Sequence, residues 1–175
     1  MLLGQSPIAS LSETSKHARL CANTYPIARA DVLRAHPWNC CIKRVELAPL
    51  AAAPVGGQWS SQFAKPGDWL RTLDVGVEGQ EEYQFEGGRI LANTTALVLR
   101  YVADVTEGNW DSNLVGLMVL RMVKDLAYPV TKSTSLAELK AREYEMAKRH
   151  AKTTDAQENP PEEIVDSPFI AARSR

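Results

Sequence analysis

Tyr83 to Ala92 reads YQFEGGRILA, and this stretch limits the fold more than any other part of the 175-residue chain. Two short apolar runs flank Gly87-Gly88. Glycine takes positive φ at little cost, which a two-residue hairpin turn requires at both central positions. An antiparallel pair is therefore expected here. Neighbouring segments extend it. Asn39 to Leu47 alternates, with Cys41, Lys43, Val45 and Leu47 on one face and Cys40, Ile42, Arg44 and Glu46 on the other. Trp69 to Val77 alternates again, with Trp69, Arg71, Leu73, Val75 and Val77 on a shared face. Thr95 to Val102 is rich in β-prone residues and adds a further strand.

Helical patterns flank this block. Ser12 is a candidate cap, with Glu13 in the first turn where the helix dipole favours a carboxylate. Ala18, Cys21, Ala22, Tyr25, Ala28, Val32 and Leu33 then recur at three- and four-residue steps. Pro26 either kinks one helix or separates two. A kink is favoured, because Thr24-Tyr25 offers no glycine stop. Pro37 ends the run, since the residue before a proline avoids helical geometry. Trp38 follows that stop and opens a strand, which places it where the helices meet the sheet. A second helix starts with Asp111 or Ser112 as cap. It is apolar nearly all round from Leu114 to Ala127, which predicts burial on most sides, and Pro129 is expected to stop it. Ser133 or Ser135 caps a third helix, which passes Leu136, Leu139, Ala147 and Ala151. From Thr153 the chain turns acidic and proline-broken, a composition that does not fold alone.

Strands grouped between helices predict the α+β class: a helical bundle with an inserted small antiparallel β-sheet and an extended C-terminal tail. The expected helices are 12–36, 112–128 and 133–152, with the β insert at 39–103. One domain covers 1–152 and the tail covers 153–175. The stretch from Ala48 to Gly67 is a loop of unusual length holding Trp59 and Phe63. Two exposed aromatics there would need a partner surface.

The 20 basic and 21 acidic residues leave a formal charge of −1, which argues against a dedicated cationic nucleic-acid binder. Cys21, Cys40 and Cys41 have no C-x-x-C spacing, so neither a zinc site nor a redox motif is supported. All three read as small apolar packing residues in a reducing compartment. His17, His36 and His150 stand apart from metal-ligand spacings and read as surface or packing residues. There is no G-x-S-x-G, P-loop or G-x-G-x-x-G motif. No basic, apolar leader is visible at the N-terminus, and the most apolar helix is interrupted by Arg121, Lys124 and Asp125, so no membrane span is expected. No catalytic, metal-binding or cofactor-binding residue is assigned.

Leu33-Arg34-Ala35-His36-Pro37-Trp38-Asn39, a helix end passing into a strand, resembles the head-to-tail adaptor proteins of short-tailed bacteriophages, the tail tubular protein A group among them. Further stretches fit in order. Lys65-Pro66-Gly67-Asp68-Trp69-Leu70-Arg71 resembles the family's P-x-D-x-L-R segment, and Tyr83 to Ala92 its glycine-turn hairpin. Leu99-Arg100-Tyr101-Val102, followed by Thr106, Trp110 and Asp111, resembles its strand-to-helix passage. Leu3 to Ile8 resembles its LGxxPI start, and Pro168-Phe169-Ile170 with Arg173 its tail. Cys40-Cys41 departs from the pattern, standing where an aromatic and a small residue are expected.

The resemblance implies a structural virion protein of the neck, assembled in the host cytoplasm and not an enzyme. It implies a homo-oligomeric ring of twelve copies between portal protein and tail nozzle protein. Double-stranded DNA would pass through its channel without sequence specificity. It also implies that the tail reaches the portal through Pro168, Phe169, Ile170, Arg173 and Arg175. Trp59 and Phe63 would face the nozzle or a neighbour, and Pro37, Trp38, Leu70, Tyr101 and Trp110 would form structural core. The free protein is expected to be mainly monomeric, with the ring forming on the portal. Two other readings are a tail-side gatekeeper of the same neck and a small virion-associated hydrolase.

Overall fold

The computed structural model describes residues 3–77 and 81–159. Helix α1 spans Lys16–Arg34 and runs through Pro26 as one helix. Its cap is Ser15, whose hydroxyl accepts from the Ala18 N–H at 3.1 Å, rather than Ser12. The Ser12 hydroxyl pairs with that of Ser10 at 2.9 Å, and the Glu13 carboxylate accepts from the Ala9 N–H at 2.8 Å. The residues ahead of α1 thus form a polar turn, and the helix begins later than 12.

Asn39–Cys41 forms a single 3-10 turn instead of the first residues of a strand. Six strands follow: β1 Ile42–Leu47, β2 Ser61–Ala64, β3 Trp69–Val75, β4 Tyr83–Glu86, β5 Arg89–Ala92 and β6 Leu97–Ala103. They build two three-stranded antiparallel sheets, β1-β6-β3 and β2-β5-β4, where one sheet was expected. The hairpin stands as its sequence predicts. Glu86 faces Arg89 across Gly87 and Gly88, whose φ angles are +55° and +78°.

The second sheet exists because β5 is apolar on both faces. Ile90, Leu91 and Ala92 are all buried, and one neighbouring strand does not cover them. Strand β2 supplies the other flank, with Phe63 opposite Ile90. Phe63 is consequently fully buried in the core and is not a nozzle- or neighbour-facing loop residue. No turn signal joins Ser61–Ala64 to a partner nearby in the chain, so the long loop conceals β2 in the sequence. Trp59 stays half-buried outside the core, its indole N–H donating to Gln84 Oε1 at 3.3 Å.

Helix α2 spans Ser112–Thr131, capped by Asp111, which accepts from the Leu114 N–H at 2.8 Å. Pro129 lies inside it and does not stop it. The helix runs two residues past it, held by its packing against α1 and α3. The stop comes at Lys132, in left-handed geometry at φ 60°. Helix α3, Thr134–Gln157, is capped by Ser133 and outruns the expected end at 152. Thr153 and Thr154 return their hydroxyls to the carbonyls of Arg149 and His150 at 3.0 and 3.1 Å. Residues 153–157 therefore belong to the folded domain rather than to a tail.

One core joins both sheets to the helices. Trp38, Phe63, Leu33, Ile90, Leu97, Leu99 and Leu114 are its fully buried large side chains. The Trp38 indole donates to the Val32 carbonyl at 2.9 Å. Tyr101 is buried and donates its hydroxyl to Asp68 at 3.0 Å. Leu70 and Trp110 pack against the core from its margin, and Pro37 is half-buried. Trp38→Ala removes the largest of these side chains together with a satisfied hydrogen bond. Urea unfolding is expected to show a loss of about 3–5 kcal/mol; an unchanged midpoint would place the indole's role outside the fold.

Candidate functional site

Helix α2 carries more apolar side chains than its neighbours cover. Val115, Val119, Met122 and Leu126 follow steps of four, three and four residues and so form one stripe. Val115 and Val119 remain 44% and 46% exposed, against the expectation that α2 is buried on most sides. Tyr25 of α1 and Trp110, just ahead of α2, wall the stripe. Together they enclose an open apolar groove of about 370 Å³.

The groove has a polar mouth on one side only. Glu107, in the short 3-10 helix Glu107–Asn109, accepts from the Tyr25 hydroxyl at 2.6 Å and from Arg29 Nε at 2.8 Å. Arg29 also pairs with Asp104, donates to the Val105 carbonyl at 2.7 Å, and lies 5.6 Å over the Trp110 ring. Trp110 in turn donates to the Val105 carbonyl at 3.2 Å. Burial, with the Glu107 carboxylate beside it, pushes the Tyr25 hydroxyl up to about 12. The hydrogen bond from Tyr25 holds Glu107 below the usual carboxylate range. At neutral pH the tyrosine is a donor and the glutamate an anion. Two carboxylates against one guanidinium leave the mouth negative. The groove offers apolar contact area and an anionic edge, which suits binding of large side chains. It pairs no nucleophile with a base.

A second polar cluster lies at the end of α3. Asp155 is 5% exposed and is the buried charged residue of the described chain. Its carboxylate accepts from His36 Nε2 and from the Asn39 N–H, each at 2.9 Å, and its carbonyl accepts from Asn39 Nδ2 at 2.7 Å. Lys152 reaches the Ala35 carbonyl at 3.1 Å, and Asn159 Nδ2 donates to Asn39 Oδ1 at 2.7 Å. The His36 ring meets the Trp38 indole edge-on at 4.7 Å between centroids. The end of α3 is thereby fastened to the α1–β1 junction.

The cysteines form no disulfide. Cys40 and Cys41 sulfurs stand 3.7 Å apart, and burial pushes both thiols up, which makes them poor nucleophiles. Among the described residues no group of three or more His, Cys, Asp or Glu side chains could hold a metal ion, and no helix is long and apolar enough to cross a membrane.

The residues singled out in the sequence fall in three places. Trp38, Tyr101, Leu70, Pro37 and Trp110 sit in or against the core, and Trp110 is also a groove wall. Trp59 lies beside the hairpin strand β4 and Phe63 inside the core. Pro168, Phe169, Ile170, Arg173 and Arg175 lie outside the described residues. Sequence reasoning missed both the groove and Asp155. The surplus of apolar residues on α2 was the available signal for the first; for Asp155 the acidic context concealed a buried role.

The fold and groove define an α+β domain with an uncovered apolar helix face. No protein-family model matches this sequence, and no curated protein matches it.

The Asp155 cluster generates a pH prediction. Burial holds His36 below its ordinary 6.5, although Asp155 opposes the shift. The unfolded chain therefore takes up this proton more readily than the folded one, and stability falls as pH drops through 6.5. Melting temperatures measured from about pH 7.5 to about pH 5.5 are expected to fall more steeply for the wild type than for His36→Gln, which keeps a donor but does not titrate there. Parallel curves would remove His36 as the titrating group.

Proposed function

We propose that this chain is a structural subunit of a short-tailed bacteriophage virion, a head-to-tail adaptor. Its copies stand in a twelve-membered ring between portal and tail nozzle and line the channel through which DNA leaves. The observation that carries this reading is the groove on α2. A side-by-side position in a ring covers an apolar stripe that a lone chain leaves in water, at about 25 cal/mol for each Å² removed. The order of segments shared with the adaptor family supports it, from the Leu33–Asn39 passage to the hairpin and the Tyr101–Asp111 approach to α2. A formal charge of −1 suits a wall that DNA slides past rather than one that grips it.

In this reading the chain after Asn159 is the portal anchor. Phe169 and Ile170 supply the apolar contacts, because interface energy concentrates in a few large buried side chains. Arg173 and Arg175 add charge-assisted hydrogen bonds to carboxylates or carbonyls of the portal. Trp59, outside the core, is turned toward the nozzle or a neighbour.

Two measurements test the reading. An image of the neck of the purified particle is expected to show a ring built from this chain beneath the portal. Removing residues 160–175 is expected to leave the melting temperature unchanged and to abolish capture by immobilised portal. Full capture by the shortened chain would shift the anchor to the helices. A neck without this chain would end the adaptor reading.

A further inference from the structure

Among the described residues, Arg71 Nε is a buried side-chain nitrogen that no group accepts from. Its strand, β3, meets the end of α1, where Arg34 donates to the Leu70 carbonyl at 2.7 Å. Arg71 stands close enough to His36 for its charge to oppose protonation of the ring, and Lys152 acts on His36 in the same way. Three cationic side chains thus gather at the α1–β1 junction. Arg34 and Lys152 are engaged by the backbone carbonyls of Leu70 and Ala35. Asp155, the buried carboxylate there, is taken by His36 and the Asn39 N–H. Glu158, one turn further along α3, is exposed and forms no ion pair among the described residues. Arg71 forms none either. A buried donor without an acceptor is rare in folded proteins and marks a place for a group from elsewhere.

We infer that the acidic stretch Glu162–Asp166 of the same chain folds back onto this junction, where one of its carboxylates accepts from the Arg71 guanidinium. Two observations select that occupant. The first is where the described chain ends. Asn159 Nδ2 donates to Asn39 Oδ1 at 2.7 Å, and Asn39 binds Asp155, the partner of His36. The chain therefore leaves the folded domain at the junction itself. Pro160 and Pro161 cannot prolong α3. Glu162 and Glu163 follow within reach, since four residues of extended chain span at most about 14 Å. The second is charge. From Pro160 to Ala172 the sequence holds Glu162, Glu163 and Asp166 and no base. A planar guanidinium takes a carboxylate through two parallel N–H bonds, and Nε with its neighbouring Nη forms such a fork. The contact lies at the solvent edge, and the ordering of the segment offsets an ion pair of this kind, so the melting temperature is not its readout. The inference goes beyond the adaptor reading and does not depend on it. In that reading it fixes the point from which Phe169 and Ile170 set out toward the portal.

The test reads the Arg71 side chain itself, in the full chain. Nε–Hε cross-peaks are recorded by NMR on protein labelled with ¹⁵N-arginine, in mildly acidic buffer of low salt. The Arg71 peak is the one missing from Arg71→Lys. Its Hε is expected to exchange with water about tenfold more slowly in the wild type than in the triple variant Glu162→Gln/Glu163→Gln/Asp166→Asn. An unchanged melting curve confirms that the triple variant folds. Glu158→Gln is expected to leave the peak as it is. A peak indifferent to the triple substitution, or one that collapses with Glu158→Gln alone, overturns the inference. A mixture shows whose segment is bound. When the labelled triple variant is mixed with excess unlabelled wild type, the fast-exchanging peak is expected to persist. Recovery of the slow peak would assign the contact to a second copy and overturn the fold-back. The adaptor reading is judged separately, by the neck image, and its failure changes none of these outcomes.

Discussion

The Trp38 indole holds the helical and β parts of this molecule together. It is fully buried, and its N–H is satisfied by the Val32 carbonyl in the last turn of α1. A buried donor left without a partner costs about 1–3 kcal/mol, so this bond sets how α1 must end before β1 can start. The consequences spread outward. His36 stacks on the indole edge, Asp155 binds His36, and Asn39 binds Asp155, so the far end of α3 is placed by a residue 117 positions earlier in the chain. Removing the indole would disturb the α1 end, the 3-10 turn and the α3 end together.

The two sheets share the remaining core unequally. Strand β6 is central in β1-β6-β3 and is buried at Leu97, Leu99, Tyr101, Val102 and Ala103. Its side chains meet the helices, and the following residues bring Asp104, Val105 and Glu107 to the groove mouth. Strand β5 is central in the other sheet and carries the hairpin outward. Its own flank β4 is exposed throughout, and Phe85 there lies 5.7 Å from Trp69 of the first sheet. The groove and the hairpin are thus built at different places on a common framework.

Local chemistry made some of this legible in the sequence and left other parts hidden. The glycine pair, the strand alternation, Trp38 and the caps Asp111 and Ser133 follow from rules that act over a few residues. Strand β2 did not, because its pairing and burial come from Ile90, a partner 27 positions on. Pro129 misled because packing of α2 against α1 and α3 carries the helix past the proline, which the local rule does not foresee. Asp155 misled because an acidic neighbourhood reads as solvated, whereas three polar groups converge on it only after folding. The groove lay between these cases. The apolar excess on α2 was visible, but which side stayed uncovered depended on where α1 and Trp110 came to rest.

The fastening at Asp155 bears on how the domain carries force. Tension applied beyond Asn159 would otherwise peel α3 from its free end, one turn at a time. The bonds from His36, Asn39, Lys152 and Asn159 lie within the last two turns and tie them to the α1–β1 junction. They share a load and must yield together, and the tension is delivered into the packing around Trp38. A pull from that end therefore meets several bonds in parallel, where an unfastened helix would yield one turn after another.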